Sequence, residues 1–217
     1  MRSLLNWLRG SSLVRVVVGF ALAAAVLAAL GWLVTGPYKG VVAGFDSNIR
    51  YAMRQIQSPM WTSVLLTVTK LGSTWGLVII GSIAGIAFIL LRWFRPLVLF
   101  VIVMAGQAAL HHGFKWLFAR PRPPALINYP LAENFSFPSG HAIAALCLYG
   151  AMAWLVATRY ENAAAKAGIA IVAAILILFI ALSRVYIGIH YPTDVVAGLL
   201  AAAVWTAAVM SADRRPL

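Results

Sequence analysis

Long apolar runs separated by short polar clusters set the plan of this chain. Val16 to Val34 carries no charge and is closed by Thr35-Gly36-Pro37. It is longer than the ~7–15 residues of a signal-peptide core, so an uncleaved first span is expected despite the basic start at Arg2, Arg9 and Arg15. From Tyr38 to Pro59 the pattern changes: Phe45, Ile49, Met53 and Ile56 recur at helical spacing, with Asp46, Arg50 and Arg54 on other faces. That periodicity predicts an amphipathic helix at the membrane interface, with a solvated connector as the alternative. A second span centres on Trp75 to Leu91, starting earlier near Trp61 if Lys70 snorkels. A third runs from about Pro96 to Phe118, with Lys115 in its last turn, and a proline-rich polar loop follows from Ala119 to Phe137. The fourth is expected at Gly140 to Ala157, the fifth at Ala167 to Leu182 with continuation to Tyr186, and the sixth at Thr193 to Met210. The prediction is an all-α integral membrane bundle of six transmembrane helices, with a short interfacial amphipathic helix after the first span. It forms a single domain over 1–217.

Composition agrees. The chain is 63% hydrophobic and 10% charged, with mean hydropathy +0.91, against roughly 45–50% and about 25% for soluble proteins. A net charge of +12 can suggest nucleic acid. Here the cations sit in short groups between spans, so anionic headgroups and topology account for them and no nucleic-acid or protein partner is implied. Cys147, the only cysteine, lies within an apolar run and reads as a packing residue.

The basic residues also orient the chain. An inside amino terminus places Arg2, Arg9, Arg15, Arg92, Arg95, Arg159, Lys166, Arg214 and Arg215 in the cytoplasm. Lys39, Arg50, Arg54, Lys70, Arg120 and the cations of three polar clusters then fall on the other side. Alternation of the helices brings those clusters, KWLFARPRP from Lys115 to Pro123, PSGH from Pro138 to His141 and SRVYIGIHYPTD from Ser183 to Asp194, to that same extracytoplasmic face.

Such a set suits binding a phosphate and cleaving its ester. Lys115, Arg122 and Arg184 make a natural clamp, and the arginines offer forked, bidentate donors. Cations at span ends are ordinarily interfacial snorkels, but Arg184 should lie near the top of an apolar helix. Ser139 and Gly140 precede a helix start, where free N–H groups and the macrodipole favour an anion, although a plain N-cap would look the same. His190 and Asp194 are spaced i, i+4, with Pro192 placed to open the sixth helix. A carboxylate holding one ring nitrogen leaves the other free to attack phosphorus, whereas Asp194 alone could serve only the helix dipole.

The ordered patterns K-x6-R-P (Lys115, Arg122, Pro123), P-S-G-H (Pro138 to His141) and S-R-x5-H-x3-D (Ser183, Arg184, His190, Asp194) resemble the signature of the type 2 phosphatidic acid phosphatase superfamily. The match is complete at each signature position and spans Lys115 to Asp194. By size and plan it points to small bacterial lipid phosphatases of that superfamily, such as those for phosphatidylglycerophosphate or undecaprenyl diphosphate. The resemblance implies that His190 is the nucleophile, Asp194 orients it and His141 protonates the leaving oxygen. It implies a lipid phosphatase working through phosphohistidine at the outer surface of the cytoplasmic membrane, with no metal and no cofactor.

His111 and His112 match no signature position and are read as packing or interfacial residues; they are adjacent and no carboxylate cluster accompanies them, so a metal site is not expected. Arg120, Asn128, Tyr129 and Glu133 in the loop are read as headgroup contacts. Two other classes compete. Vanadium-dependent haloperoxidases resemble the same motifs but are soluble, against which the six spans argue. A transporter or lipid-binding protein would tend to place its ionisable groups near the bilayer midplane, whereas these lie at span ends. Phosphatidic acid and lipid A phosphates stand beside the two lipids already named as candidate substrates.

Overall fold

A computed structural model of the protein describes residues 11–130 and 135–212. Arg2, Arg9, Arg214 and Arg215 of the charge argument, and Glu133 of the loop, lie outside the described residues. Eight helices are numbered here: α1 Ser11–Thr35, α2 Lys39–Gln55, α3 Pro59–Thr69, α4 Thr74–Leu90, α5 Phe94–Phe118, α6 Gly140–Ala157, α7 Ala163–Ile187 and α8 Pro192–Ala212. Five of them, α1, α5, α6, α7 and α8, are long and apolar enough to cross a membrane, and α3 with α4 supplies a sixth span if taken together. The protein is therefore a multi-pass membrane bundle.

Local chemistry places the helix ends. Ser58 caps α3, accepting from the Trp61 N–H at 3.3 Å, with Pro59 in the first turn. Asn162 Oδ1 caps α7, accepting from the N–H groups of Ala164 and Ala165, so that helix starts four residues before the expected Ala167. Its other end is Gly188, left-handed at φ 90°, which stops the helix just before the His190 turn. Pro192 opens α8, as the sequence predicted.

The second span is not one straight helix. It bends by 56° between Pro59–Gly72 and Thr74–Leu90. Lys70–Gly72 tightens into a 3₁₀ turn, and Ser73 caps the new helix by accepting from the Gly76 N–H at 3.2 Å. Tyr149, in the π-helical turn Leu146–Gly150 of α6, donates to the Leu71 carbonyl at 2.9 Å and holds the break in place.

Away from the polar clusters the bundle closes through small residues. A Cβ on Gly19 of α1 would overlap Ala208 of α8, and one on Gly106 of α5 would overlap the Trp205 ring. Trp205 also donates to the Val103 carbonyl at 2.9 Å and meets Phe20 edge-on with centroids 5.5 Å apart. Lipid tails offer helices no hydrophobic gain on association, so such close backbone approach, with van der Waals contact along it, holds the spans together. Cys147 is buried, and its Sγ accepts from Thr206 Oγ1 at 3.6 Å, in keeping with a packing role.

The amphipathic segment is a helix, but of its charged residues Asp46 turns inward while Arg54 stays exposed. Asp46 of α2 is fully buried against the bundle, while Val41 is 78% and Tyr51 68% exposed. A carboxylate buried this deeply needs partners, and its partners lie in the polar clusters described next.

Candidate active site

The three clusters meet around one cavity of about 450 Å³. Its wall takes Lys115 from the last turn of α5, Arg122 from the loop, Gly140 and His141 from the first turn of α6, Arg184 from the end of α7, and His190 from the α7–α8 turn. The break between α3 and α4 completes it with Gly72, Ser73, Thr74 and Trp75. Helix alternation had predicted that four span ends share one face; the bent span is a fifth contributor, which the apolar pattern of its two halves does not reveal.

The two remaining predicted site residues lie behind this wall. Ser139 is fully buried; its backbone N–H donates to the Asp194 carbonyl at 3.1 Å, tying the start of α6 to the start of α8. Asp194 is also fully buried, with Oδ2 3.6 Å from His190 Nδ1 and accepting from the Tyr191 N–H at 2.9 Å.

His190 is held in one orientation. Its Nε2 lies 3.1 Å from Arg122 Nη1, and that guanidinium nitrogen also donates to the Ile189 carbonyl at 2.8 Å. A guanidinium can only donate, so Nε2 must accept and the ring proton sits on Nδ1, toward Asp194. Burial, reinforced by the positive charges of Arg122, Arg184 and Lys115, pushes the His190 imidazole well below its usual range. A neutral ring with its lone pair turned to the cation cluster is the form a nucleophile requires.

Arg184 is fixed from the far side: Nη1 donates to the buried Thr69 Oγ1 at 2.7 Å, and the guanidinium lies 5.3 Å from the Tyr129 ring centroid. Lys115 Nζ is 3.4 Å from the Pro138 carbonyl. Gly72 leaves room for the neighbouring imidazole, since a Cβ there would come within 3.1 Å of His141 Cδ2.

Several residues differ from their expected places. His111 and His112, expected to pack or sit at the interface, both line the cavity, their ring centroids 4.8 Å apart. His111 stands against the PSGH turn: a Cβ on Gly140 would lie 2.6 Å from its Nε2. The available signal was spacing, because His111 precedes Lys115 by one helical turn on α5. Tyr129 lines the cavity as a loop contact should, whereas Asn128 is exposed outside it. Arg120 does not reach outward at all. It is buried, with Nη1 2.6 Å from Asp194 Oδ1 and Nη2 2.8 Å from Asp46 Oδ2.

A family model described as the PAP2 superfamily matches residues 96–216, more than half of the chain. The chain belongs to the PAP2 superfamily. It is 32% identical over 168 residues to phosphatidylglycerophosphatase B of Bacillus subtilis (strain 168), covering 74% of this chain and 79% of that one. Its fold is similar to the crystal structure of a transmembrane PAP2-type phosphatidylglycerolphosphate phosphatase from Bacillus subtilis, with TM-score 0.76 and 25% identity over 91% of this chain and 94% of the other. The crystal structure of Aquifex aeolicus LpxE shares the fold at TM-score 0.59 and 18% identity, covering 76% of this chain and 93% of that one. The PAP2 resemblance read from the three motifs is thus supported along most of the chain, including α1 to α4, where no motif lies. This PAP2 protein is a membrane lipid phosphatase, an enzyme of the phosphoric ester hydrolase class.

Proposed function

We propose that the enzyme removes phosphate from a lipid phosphomonoester or diphosphate through a phosphohistidine on His190, at the extracytoplasmic face of the cytoplasmic membrane. The observation that carries this reading is the pairing of His190: Nδ1 toward Asp194 at 3.6 Å and Nε2 among the cations, 3.1 Å from Arg122. Lys115, Arg122 and Arg184 bind the phosphoryl oxygens, with Gly140 at the start of α6 as a further anion site; Ser139, whose N–H is taken by the Asp194 carbonyl, positions that turn from behind instead of binding the anion as the sequence suggested. His190 Nε2 attacks phosphorus, the P–O bond to the lipid breaks, and His141 gives its proton to the leaving oxygen. Water, deprotonated by His141, then attacks the phosphorus, and the N–P bond breaks to release inorganic phosphate and restore His190. One domain over 1–217 does all of this.

Phosphatidylglycerophosphate is the first candidate substrate, on the strength of the Bacillus subtilis relative. Undecaprenyl diphosphate, phosphatidic acid and lipid A phosphates share the reacting group. The test is phosphate release by purified protein across these four lipids, with EDTA present and His190→Ala as control. Turnover of one lipid by the wild type alone supports the mechanism and names the substrate. Release by His190→Ala overturns the nucleophile assignment, and no release from any lipid favours a lipid-binding or transport protein.

A further inference from the structure

The PAP2 signature accounts for His190 and Asp194 but not for what stands behind them. Asp194 uses Oδ2 for the His190 Nδ1 side and the Tyr191 N–H, which leaves Oδ1 to set the rotation of the carboxylate, with Ser136 as a further side-chain partner. Arg120 Nη1 takes that oxygen at 2.6 Å. The other arm of the same guanidinium, Nη2, is 2.8 Å from Asp46 Oδ2. Thr193 closes the ring of contacts: its N–H donates to Asp46 Oδ1 at 3.0 Å, and its Oγ1 accepts from Arg120 Nη1 at 2.9 Å while donating to Asp46 Oδ2 at 2.8 Å. The plane of Arg120 is set by Tyr191, whose ring centroid is 3.9 Å from Cζ. All three charged side chains are buried, Asp46 and Asp194 completely.

A buried guanidinium shared by two carboxylates is expensive to assemble and stabilises little on balance, since desolvation offsets much of the attraction. What it supplies is direction. Two arms in one plane can hold two carboxylates at a fixed separation, as the single ammonium of lysine cannot. We infer that Asp46 and Arg120 are positioning residues for the phosphatase reaction: Asp46 of α2 anchors Arg120, Arg120 fixes the Asp194 carboxylate, and Asp194 aims the His190 ring. α2 thereby belongs to the active site. Arg50 reinforces this, donating to the carbonyl of Gly188 at 2.6 Å, two residues before His190, and to that of Pro124 at 2.7 Å, in the loop that carries Arg122.

This inference rests on the histidine mechanism proposed above, and the experiment separates the two. Steady-state kinetics on the best lipid would be measured for Asp46→Asn, Arg120→Lys and Asp194→Asn, and for the double variants with Asp194→Asn. Positioning predicts that Asp46→Asn lowers kcat about tenfold and Arg120→Lys about 100-fold, each with KM within about twofold. In the Asp194→Asn background the same changes should add less than about twofold, because the group they act through is already impaired. Inhibition by inorganic phosphate reports the cation clamp separately and should be unchanged. Equal losses in both backgrounds, unchanged kcat, or loss of phosphate inhibition along with kcat would each overturn the positioning role. If Asp46→Asn does not fold, Thr193→Val removes the hydroxyl link alone, with an expected loss of about threefold in kcat that vanishes beside Asp194→Asn. Turnover by His190→Ala would instead overturn the mechanism beneath it.

Discussion

The two ends of this bundle are held together by different chemistry. Where α5 to α8 and the break in α3–α4 converge, buried charges are paired across segments far apart in sequence: Arg120 with Asp46 and Asp194, Arg184 with Thr69. Along α1, α5 and α8, by contrast, contact depends on what is missing from side chains, as at Gly19 against Ala208 and Gly106 against Trp205. The first arrangement orients groups at some expense to stability, and the second provides stability with no reactive group. Activity and folding should therefore respond to different substitutions.

The sharpest division comes from His190→Ala, expected to lower phosphate release by about 10⁴-fold or more while the melting temperature stays near that of wild type. Equal loss of both would erase the division. Arg184→Ala removes one phosphate donor and should lower kcat by about 10²–10³-fold, measured at saturating lipid. On the other side, Gly19→Val forces α1 away from α8, with an expected loss of about 1–3 kcal/mol of stability in thermal or denaturant unfolding. The folded fraction should keep its kcat, and a fall in kcat per folded molecule would show that the two regions are coupled.

A smaller effect should appear in the pH dependence of stability. The His190 pKa is depressed in the fold, chiefly by burial and then by Arg122, Arg184 and Lys115. Below about pH 6.5 the unfolded chain takes up a proton that the folded one refuses, so stability falls as pH falls, by about 1.4 kcal/mol per unit, until the folded pKa is reached. His190→Gln should flatten that acid-side slope, and unfolding of both proteins between pH 5 and 7 measures the difference. An unchanged slope would mean that His190 is not the group responsible.

The same contrast explains what could be read from the sequence. Lys115, Arg122, His141, Arg184 and His190 stand out as polar residues at the ends of apolar runs, and helix alternation brings those ends together. The six apolar segments were visible for the same reason. Asp46 and Arg120 were hidden because their neighbourhoods are polar anyway: a charged residue on an amphipathic helix or in a proline-rich loop looks solvated until its partner is known. That partner is 74 positions away. His111 is hidden by the opposite circumstance, since a histidine inside an apolar helix is ordinarily a packing residue, and its place on the cavity wall against Gly140 shows otherwise. The bend at Ser73 is not legible in the sequence because Ser and Gly are tolerated within spans, and capping becomes evident only from the geometry.

The outer side of α2 gives the choice of assay medium a chemical meaning. Val41, Phe45 and Tyr51 point away from the bundle on the same helix that carries Asp46 and Arg50. Whatever amphiphile surrounds the purified protein therefore bears on the outer face of the helix whose inner face anchors the ion-pair ring. A micelle that wets this face poorly should slow turnover well before any span unfolds, and a lipid nanodisc should restore it.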